Sequence, residues 1–85
     1  MVNVDIYTTP YCPFCIRAKK LLANKKVDFK EIDLSENPDK FEEMLSKSNG
    51  AKTVPQIFVN GEHIGDCDHI HYLDQKGELD KILKI

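Results

Sequence analysis

The sequence predicts an α/β domain built on one mixed four-stranded sheet with helices on its faces, in the order β-α-β-α-β-β-α. Three observations carry this. Val2, Val4 and Ile6 alternate with Asn3, Asp5 and Tyr7, the pattern of a half-buried strand, and a helical stripe follows. A second strand-like run comes next, and the right-handed crossover of such a βαβ unit makes its two strands parallel. Asn60-Gly61 lies between two further short strand-like runs. Both of its positions tolerate positive φ, so it reads as a two-residue hairpin turn joining antiparallel strands.

Each element has its own warrant. The first strand gives way to a loop over residues 8–11, marked by Pro10. A helix starts near Cys12. Pro13 suits its first position, because the N–H that proline lacks would go unpaired there anyway. Phe14, Ala18, Leu21 and Leu22 fall at helical spacing and give an apolar face, with Arg17, Lys19 and Lys20 mostly off it. Residues 27–34 read as the second strand, with imperfect alternation around Lys30 and Glu31. Asn37 before Pro38 reads as a cap and first position of a second helix. Phe41, Met44 and Leu45 form that helix's stripe, and Gly50 stops it. Residues 56–59 and 62–64 are the hairpin strands. A third helix runs from about Cys67 to Lys76, with Ile70 and Leu73 inward and Gly77 after it. Leu79, Ile82 and Leu83 suggest a last short helix.

With 85 residues the chain is one domain, residues 1–85. Hydrophobic residues make up 41% of it, enough for a modest core and too many for a disordered chain. The formal charge of −2 comes from interspersed acids and bases, which leaves no basic footprint for nucleic acid or for anionic lipid. Residues 1–5 have neither a basic start nor an apolar run, so no signal peptide is expected. No stretch approaches the ~18 apolar residues of a membrane span. Three cysteines suit a reducing compartment better than a secreted disulfide scaffold, so a cytoplasmic location is expected.

Cys12-Pro13-Phe14-Cys15 is the sharpest chemical signal. A cysteine attacks a disulfide only as thiolate, and a helix N-terminus favours that form through its dipole and its unpaired N–H groups. A second cysteine one turn on can reach the first and resolve a mixed disulfide. The competing reading of a C-x-x-C pair is half of a zinc site. That reading needs a second ligand pair. No second C-x-x-C exists, and only Cys67 with His63, His69 or His71 could complete the set. No metal is expected.

Two further segments bear on the site. Thr53-Val54-Pro55 directly precedes the third strand, a position that suits a residue unable to donate to a ladder. It also suits a loop whose Val54 backbone groups stay free to pair with an extended peptide as an added strand. Gly65-Asp66-Cys67-Asp68 opens the third helix. Asp66 or Asp68 caps it, or its free N–H groups take a ligand carboxylate. Cys67 reads as a small packed residue. The three histidines read as surface residues, and Tyr7 and Tyr72 as core or rim.

Taken together, CPFC after the first strand, TVP before the third and GDCD at the third helix start resemble the glutaredoxin family, in particular its small bacterial dithiol members. The resemblance covers essentially the whole chain. It implies a thioredoxin-like fold with a cis peptide before Pro55. It also implies a glutathione-dependent thiol–disulfide oxidoreductase that reduces glutathione mixed disulfides and protein disulfides, with glutathione as reducing co-substrate. Carried over by position, Cys12 is the nucleophile and Cys15 the resolving thiol, and the two form the redox-active disulfide. Phe14 stands where the family usually has tyrosine and would flank the glutathione sulfur. Thr53, Val54 and Pro55 match the loop that holds its cysteinyl backbone, and Cys67 and Asp68 the helix start that takes its γ-glutamyl carboxylate. Expected partners are glutathione and glutathionylated or disulfide-containing proteins, with no nucleic acid and no membrane, and the chain is expected to act as a monomer.

The chain departs from the family pattern at Thr9, where lysine is frequent, at Asp66, where a glycine is usual, and at His69, where many members have aspartate. The alternative within the same resemblance is an iron–sulfur cluster carrier that uses Cys12 and glutathione as ligands. Pro13 argues against it, since cluster binders mostly have a single cysteine or a glycine- or serine-containing motif. A thioredoxin-like reductase fed by a flavoenzyme is a third reading. It lacks the tryptophan and Gly-Pro that thioredoxins carry at this place.

Overall fold

The computed structural model describes residues 2–85; Met1 lies outside the described residues. The elements are β1 (Val4–Thr8), α1 (Pro13–Asn24), β2 (Lys30–Asp33), α2 (Lys40–Lys47), β3 (Gln56–Val59), β4 (Glu62–Gly65), α3 (Cys67–Gln75) and α4 (Glu78–Leu83). The sheet order is β2-β1-β3-β4. β1 runs parallel to β2, with Tyr7 opposite Ile32, and antiparallel to β3, with Ile6 opposite Ile57. The hairpin β3–β4 is antiparallel and turns at Asn60 and Gly61, whose φ values are +53° and +82°.

Two apolar clusters lie on the two faces of the sheet. Val4, Ile6, Ile57 and Val59 pack against Ala18 and Leu22 of α1, Cys67 and Ile70 of α3, and Leu79 and Leu83 of α4. Tyr7 and Phe58 turn the other way, onto Leu34 and Met44 of α2. β1 is therefore covered on both faces and is not the half-buried strand its alternation suggests. Tyr7 sits on an inward face, fully buried, with its ring edge-on to Phe58 at 5.4 Å. Its hydroxyl donates to Glu43 Oε2 at 2.8 Å, which supplies the partner a buried phenol needs. No helix among the described residues is long and apolar enough to cross a membrane.

Four local expectations are corrected. The buried stripe of α1 is Cys15, Ala18 and Leu22, while Phe14 is 50% exposed: in the first turn Cys15 and not Phe14 points into the core. β2 begins only at Lys30, because its ladder exists only where β1 runs beside it, from Asp5 to Thr8. Val27 and Phe29 still pack against the core. α2 begins at Lys40, two residues later than the Asn37-Pro38 signal. The Asn37 side chain turns back to donate from Nδ2 to the Asp33 carbonyl at 3.1 Å, and 38–39 form a turn before the helix proper. His71 is half-buried, its Nδ1 donating to the carbonyl of Cys67 at 2.8 Å.

Strand direction gathers the chemistry at one end. β1 and β4 finish at the edge of the sheet where β3 begins, because β3 is antiparallel to both. The β1–α1 loop with Cys12, the segment entering β3 with Thr53–Pro55, and the β4–α3 junction with Asp66 are thus brought together from three separated parts of the sequence.

Candidate active site

Cys12 is the N-cap of α1, in extended backbone conformation. Its Sγ accepts the Cys15 N–H at 3.2 Å and lies 3.9 Å from the Val54 carbonyl. A sulfur at an N-cap takes the place usually held by a serine or aspartate oxygen, so the first-turn N–H that needs an acceptor is aimed at the reactive atom. Cys12 is partly exposed and Cys15 is buried; both are free thiols.

Burial pushes the Cys15 thiol up to about 12, and its hydrogen bond with Cys12 pushes the same way. The Thr9 backbone and the Lys19 ammonium oppose this. Lys19 is held by Glu31 at 2.9 Å, and Glu31 also accepts the Thr8 hydroxyl at 2.8 Å. Those two partners keep the Glu31 carboxyl below the usual carboxylate range. The pair is therefore asymmetric, with one accessible sulfur at a helix start and one enclosed thiol behind it.

The peptide bond between Val54 and Pro55 is cis. Pro55 is buried, Val54 half-buried and Thr53 exposed. Gln56, 3% exposed, donates from Nε2 to the Thr53 carbonyl at 2.9 Å. Its Oε1 accepts from His63 Nε2 at 2.7 Å, which fixes the amide orientation and the histidine tautomer together. Burial lowers His63 below its ordinary range, with the Asp66 charge opposing. Nothing in the sequence singles out Gln56 or His63 as the brace of this loop. The one signal was a polar residue at the head of an otherwise apolar strand.

At the third helix, Asp66 is the cap: its Oδ1 accepts the His69 N–H at 2.9 Å. Asp68 is exposed in the first turn, and Cys67 is buried. Burial raises the Cys67 thiol, with Arg17 opposing. Gly65 has φ +142°, and a Cβ there would meet Cβ and the ring of His69 at 2.7–2.9 Å, so the strand–helix corner closes only around glycine. An open groove of about 710 Å³ runs here, lined by Thr53, Gln56, His63, Asp66, Asp68 and Tyr72 among others. Of the expected binding residues, Thr53 and Asp68 line it. Phe14 is exposed outside that lining, and the enclosed side chains of Pro55 and Cys67 leave only their backbone to a ligand. Among the described residues no three His, Cys, Asp or Glu side chains gather as a metal-binding group.

Known proteins resemble this chain in sequence and in fold. The glutaredoxin family model matches residues 4–64. Glutaredoxin 3 of Escherichia coli strain K12 is 51% identical over 84 residues, covering 99% of this chain and all of that one. The solution structure of glutaredoxin from Brucella melitensis superposes with a TM-score of 0.84 at 49% identity, over 99% of this chain and 90% of the other. The buckwheat glutaredoxin–glutathione complex gives a TM-score of 0.85 at 28% identity, over 95% and 76%. The mixed sheet with flanking helices is the thioredoxin-like fold these structures share. With a C-x-x-C pair at the first helix start, a cis-proline loop against it and whole-length similarity, the chain belongs to the glutaredoxin family of thiol–disulfide oxidoreductases.

Proposed function

We propose that this chain reduces glutathione mixed disulfides and protein disulfides with glutathione as the electron source, Cys12 acting as nucleophile and Cys15 as resolving thiol. The observation that carries the reading is the pairing of an accessible Cys12 sulfur, set on the Cys15 N–H, with an enclosed Cys15 thiol one turn behind. The solved complex of a buckwheat relative with glutathione supports the choice of thiol.

The Cys12 thiolate attacks the glutathionyl sulfur of a mixed disulfide. A Cys12–glutathione bond forms, the glutathione–protein bond breaks, and the protein leaves as a thiolate that takes up a proton. A second glutathione thiolate attacks the adduct, leaves as oxidised glutathione and restores the Cys12 thiolate. With a protein disulfide, Cys15 loses its proton and closes on Cys12, the protein leaves as a dithiol, and two glutathiones reduce the Cys12–Cys15 bond. In this reading Val54 pairs through its backbone with the cysteinyl residue of glutathione, Thr53 and Pro55 shape that loop, and Phe14 flanks the sulfur. The γ-glutamyl carboxylate lies at the Cys67 and Asp68 end of α3.

The reading takes residues 1–85 as one glutaredoxin domain, acting in the cytoplasm as a monomer without metal, nucleic acid or membrane. An assay coupling glutathione and its reductase to a small glutathione mixed disulfide tests it. Steady consumption of reducing equivalents is expected, and its absence would overturn the reading. A brown chromophore after anaerobic purification would favour the cluster-carrier alternative instead.

Asp66 gives a second test. The first-turn N–H groups of α3 have no intrahelical partner, and Asp66 already takes that of His69. Its carboxylate also repels the carboxylate expected at the same helix end, through a potential that salt weakens. Asp66→Gly is expected to lower the apparent KM for glutathione about two- to fivefold, the size of a helix-terminus charge effect, with little change in kcat. Stability should fall by only about a few tenths of a kcal/mol through the lost cap. Steady-state kinetics at low salt decide it; an unchanged or raised KM would place the Asp66 charge on the side of binding.

A further inference from the structure

Tyr11, immediately before Cys12, combines two unfavourable features. Its ring is 99% exposed. Its backbone has φ +60°, in the left-handed region that bulky side chains avoid. The other non-glycine residues with positive φ are Lys26, Asn49, Asn60 and Lys84, all polar and all at helix ends or the hairpin turn. Among the described residues Tyr11 alone of these is aromatic, and at 99% exposure its ring gains no packing from them to offset its conformation. Strain of this kind beside a reactive group points to use.

The surroundings say what kind of use. Phe14 and Ile16 are exposed by 50% and 57%, so three large apolar side chains face solvent within six residues of chain. α1 carries Arg17, Lys19 and Lys20 and no acidic residue. Lys19 is paired with Glu31. Arg17 and Lys20 are exposed, and among the described residues neither has a carboxylate within ion-pair distance. None of Tyr11, Ile16, Arg17 and Lys20 lines the groove beside α3, whose acidic members are Asp66 and Asp68. The groove approaches Cys12 through Thr53, next to the Val54 carbonyl that lies 3.9 Å from its sulfur, while Tyr11, Ile16, Arg17 and Lys20 form an apolar and basic surface outside the groove lining.

We propose that Tyr11, with Ile16, Arg17 and Lys20, is a specificity-determining contact for the polypeptide whose disulfide Cys12 attacks, and that this polypeptide carries acidic residues beside the disulfide. The inference rests on the function proposed above. With glutathione in the groove, the polypeptide on the other sulfur lies over the remaining exposed surface around Cys12. A rigid aromatic ring offers that chain contact area at low entropic cost. Two free cations make the contact selective by sign.

Two synthetic peptides test this, each glutathionylated on one cysteine and identical except for glutamates or lysines flanking it. The small mixed disulfide of glutathione and 2-mercaptoethanol is the reference. At low salt the wild-type kcat/KM should be about five- to tenfold higher on the acidic than on the basic peptide, converging at high salt. Tyr11→Gly, which suits the backbone and removes the ring, should lower the ratio of kcat/KM on the acidic peptide to that on the small disulfide by about fivefold, chiefly through KM. Tyr11→Phe should restore that ratio. Joint replacement Arg17→Gln and Lys20→Gln should bring the acidic-to-basic ratio close to one. Equal wild-type rates on the two peptides, or a Tyr11→Gly ratio that does not move, would overturn the proposal while turnover of the small disulfide still upheld the glutathione reading. Failure on the small disulfide itself would remove that reading and the proposal together.

Discussion

Cys12→Ser is expected to reduce turnover on every disulfide substrate to the uncatalysed background, a loss of about 10³-fold or more. The substitution keeps what is structural about the position. Serine is a preferred N-cap, so its oxygen can take the Cys15 N–H that now points at the Cys12 sulfur. What disappears is the nucleophile, because a serine hydroxyl does not ionise near neutral pH and has no base beside it. Neither remaining thiol can stand in. Cys15 is 1% exposed with its thiol pushed up to about 12, and Cys67 is 2% exposed with its thiol also raised by burial. The coupled glutathione assay measures the loss, and a thermal melt that stays at or above the wild-type midpoint shows that the chemistry is gone and not the fold. Activity clearly above background in the folded variant would mean that another sulfur is the nucleophile.

How much of this was legible in the chain depends on whether the cause is local. Element order and sheet sense follow from local rules: the alternation in β1, Pro13 at the first position of α1, and Asn60-Gly61 in the turn. The cysteine pair was legible because both members lie within one helical turn. What escaped depends on partners distant in sequence. Tyr7 reads only as core or rim; that it is fully buried depends on Glu43, 36 residues later, which supplies an acceptor, and on α2, which covers that face. Phe14 reads as part of an apolar stripe, yet the sheet lies under Cys15, Ala18 and Leu22. Asn37 reads as a cap because the sequence does not reveal that its side chain turns back to donate Nδ2–H to the Asp33 carbonyl. The sequence left the cap of α3 open between two aspartates. Only the geometry assigns it to Asp66, because the N–H three residues on lies within its reach. The brace from His63 through Gln56 to Thr53 joins two strands and a loop, and no spacing rule anticipates it.

Cys15→Ser should separate the two reactions of the site. Removal of glutathione from a mixed disulfide should persist at a rate comparable with wild type, because a second glutathione resolves the Cys12 adduct. Reduction of a protein disulfide should fall by about 10²-fold or more, since only Cys15 can close on Cys12 before the protein dissociates. The pH dependence follows from the causes that raise Cys15. Burial, the larger cause, persists when Cys12 is in a mixed disulfide; the hydrogen bond and charge of a free Cys12 do not. The thiol therefore stays above the ordinary value of about 8.5 in the adduct, though less so than in the free dithiol. Its thiolate fraction grows with pH throughout the range from 7 to 9, so single-turnover closure of Cys15 on the adduct should accelerate with pH there, most steeply at the lower end, where the slope approaches about tenfold per pH unit. Stability has the corresponding sign. A thiol whose folded value is raised contributes stability that is fully present below the unfolded value and lost as pH rises above about 8.5 toward the folded one. Cys15→Ser should accordingly flatten the alkaline fall in the melting temperature. Equal loss of both reactions in a well-folded Cys15→Ser protein, or a closure rate that ignores pH, would mean that Cys15 acts by holding Cys12 in place and not by attacking it.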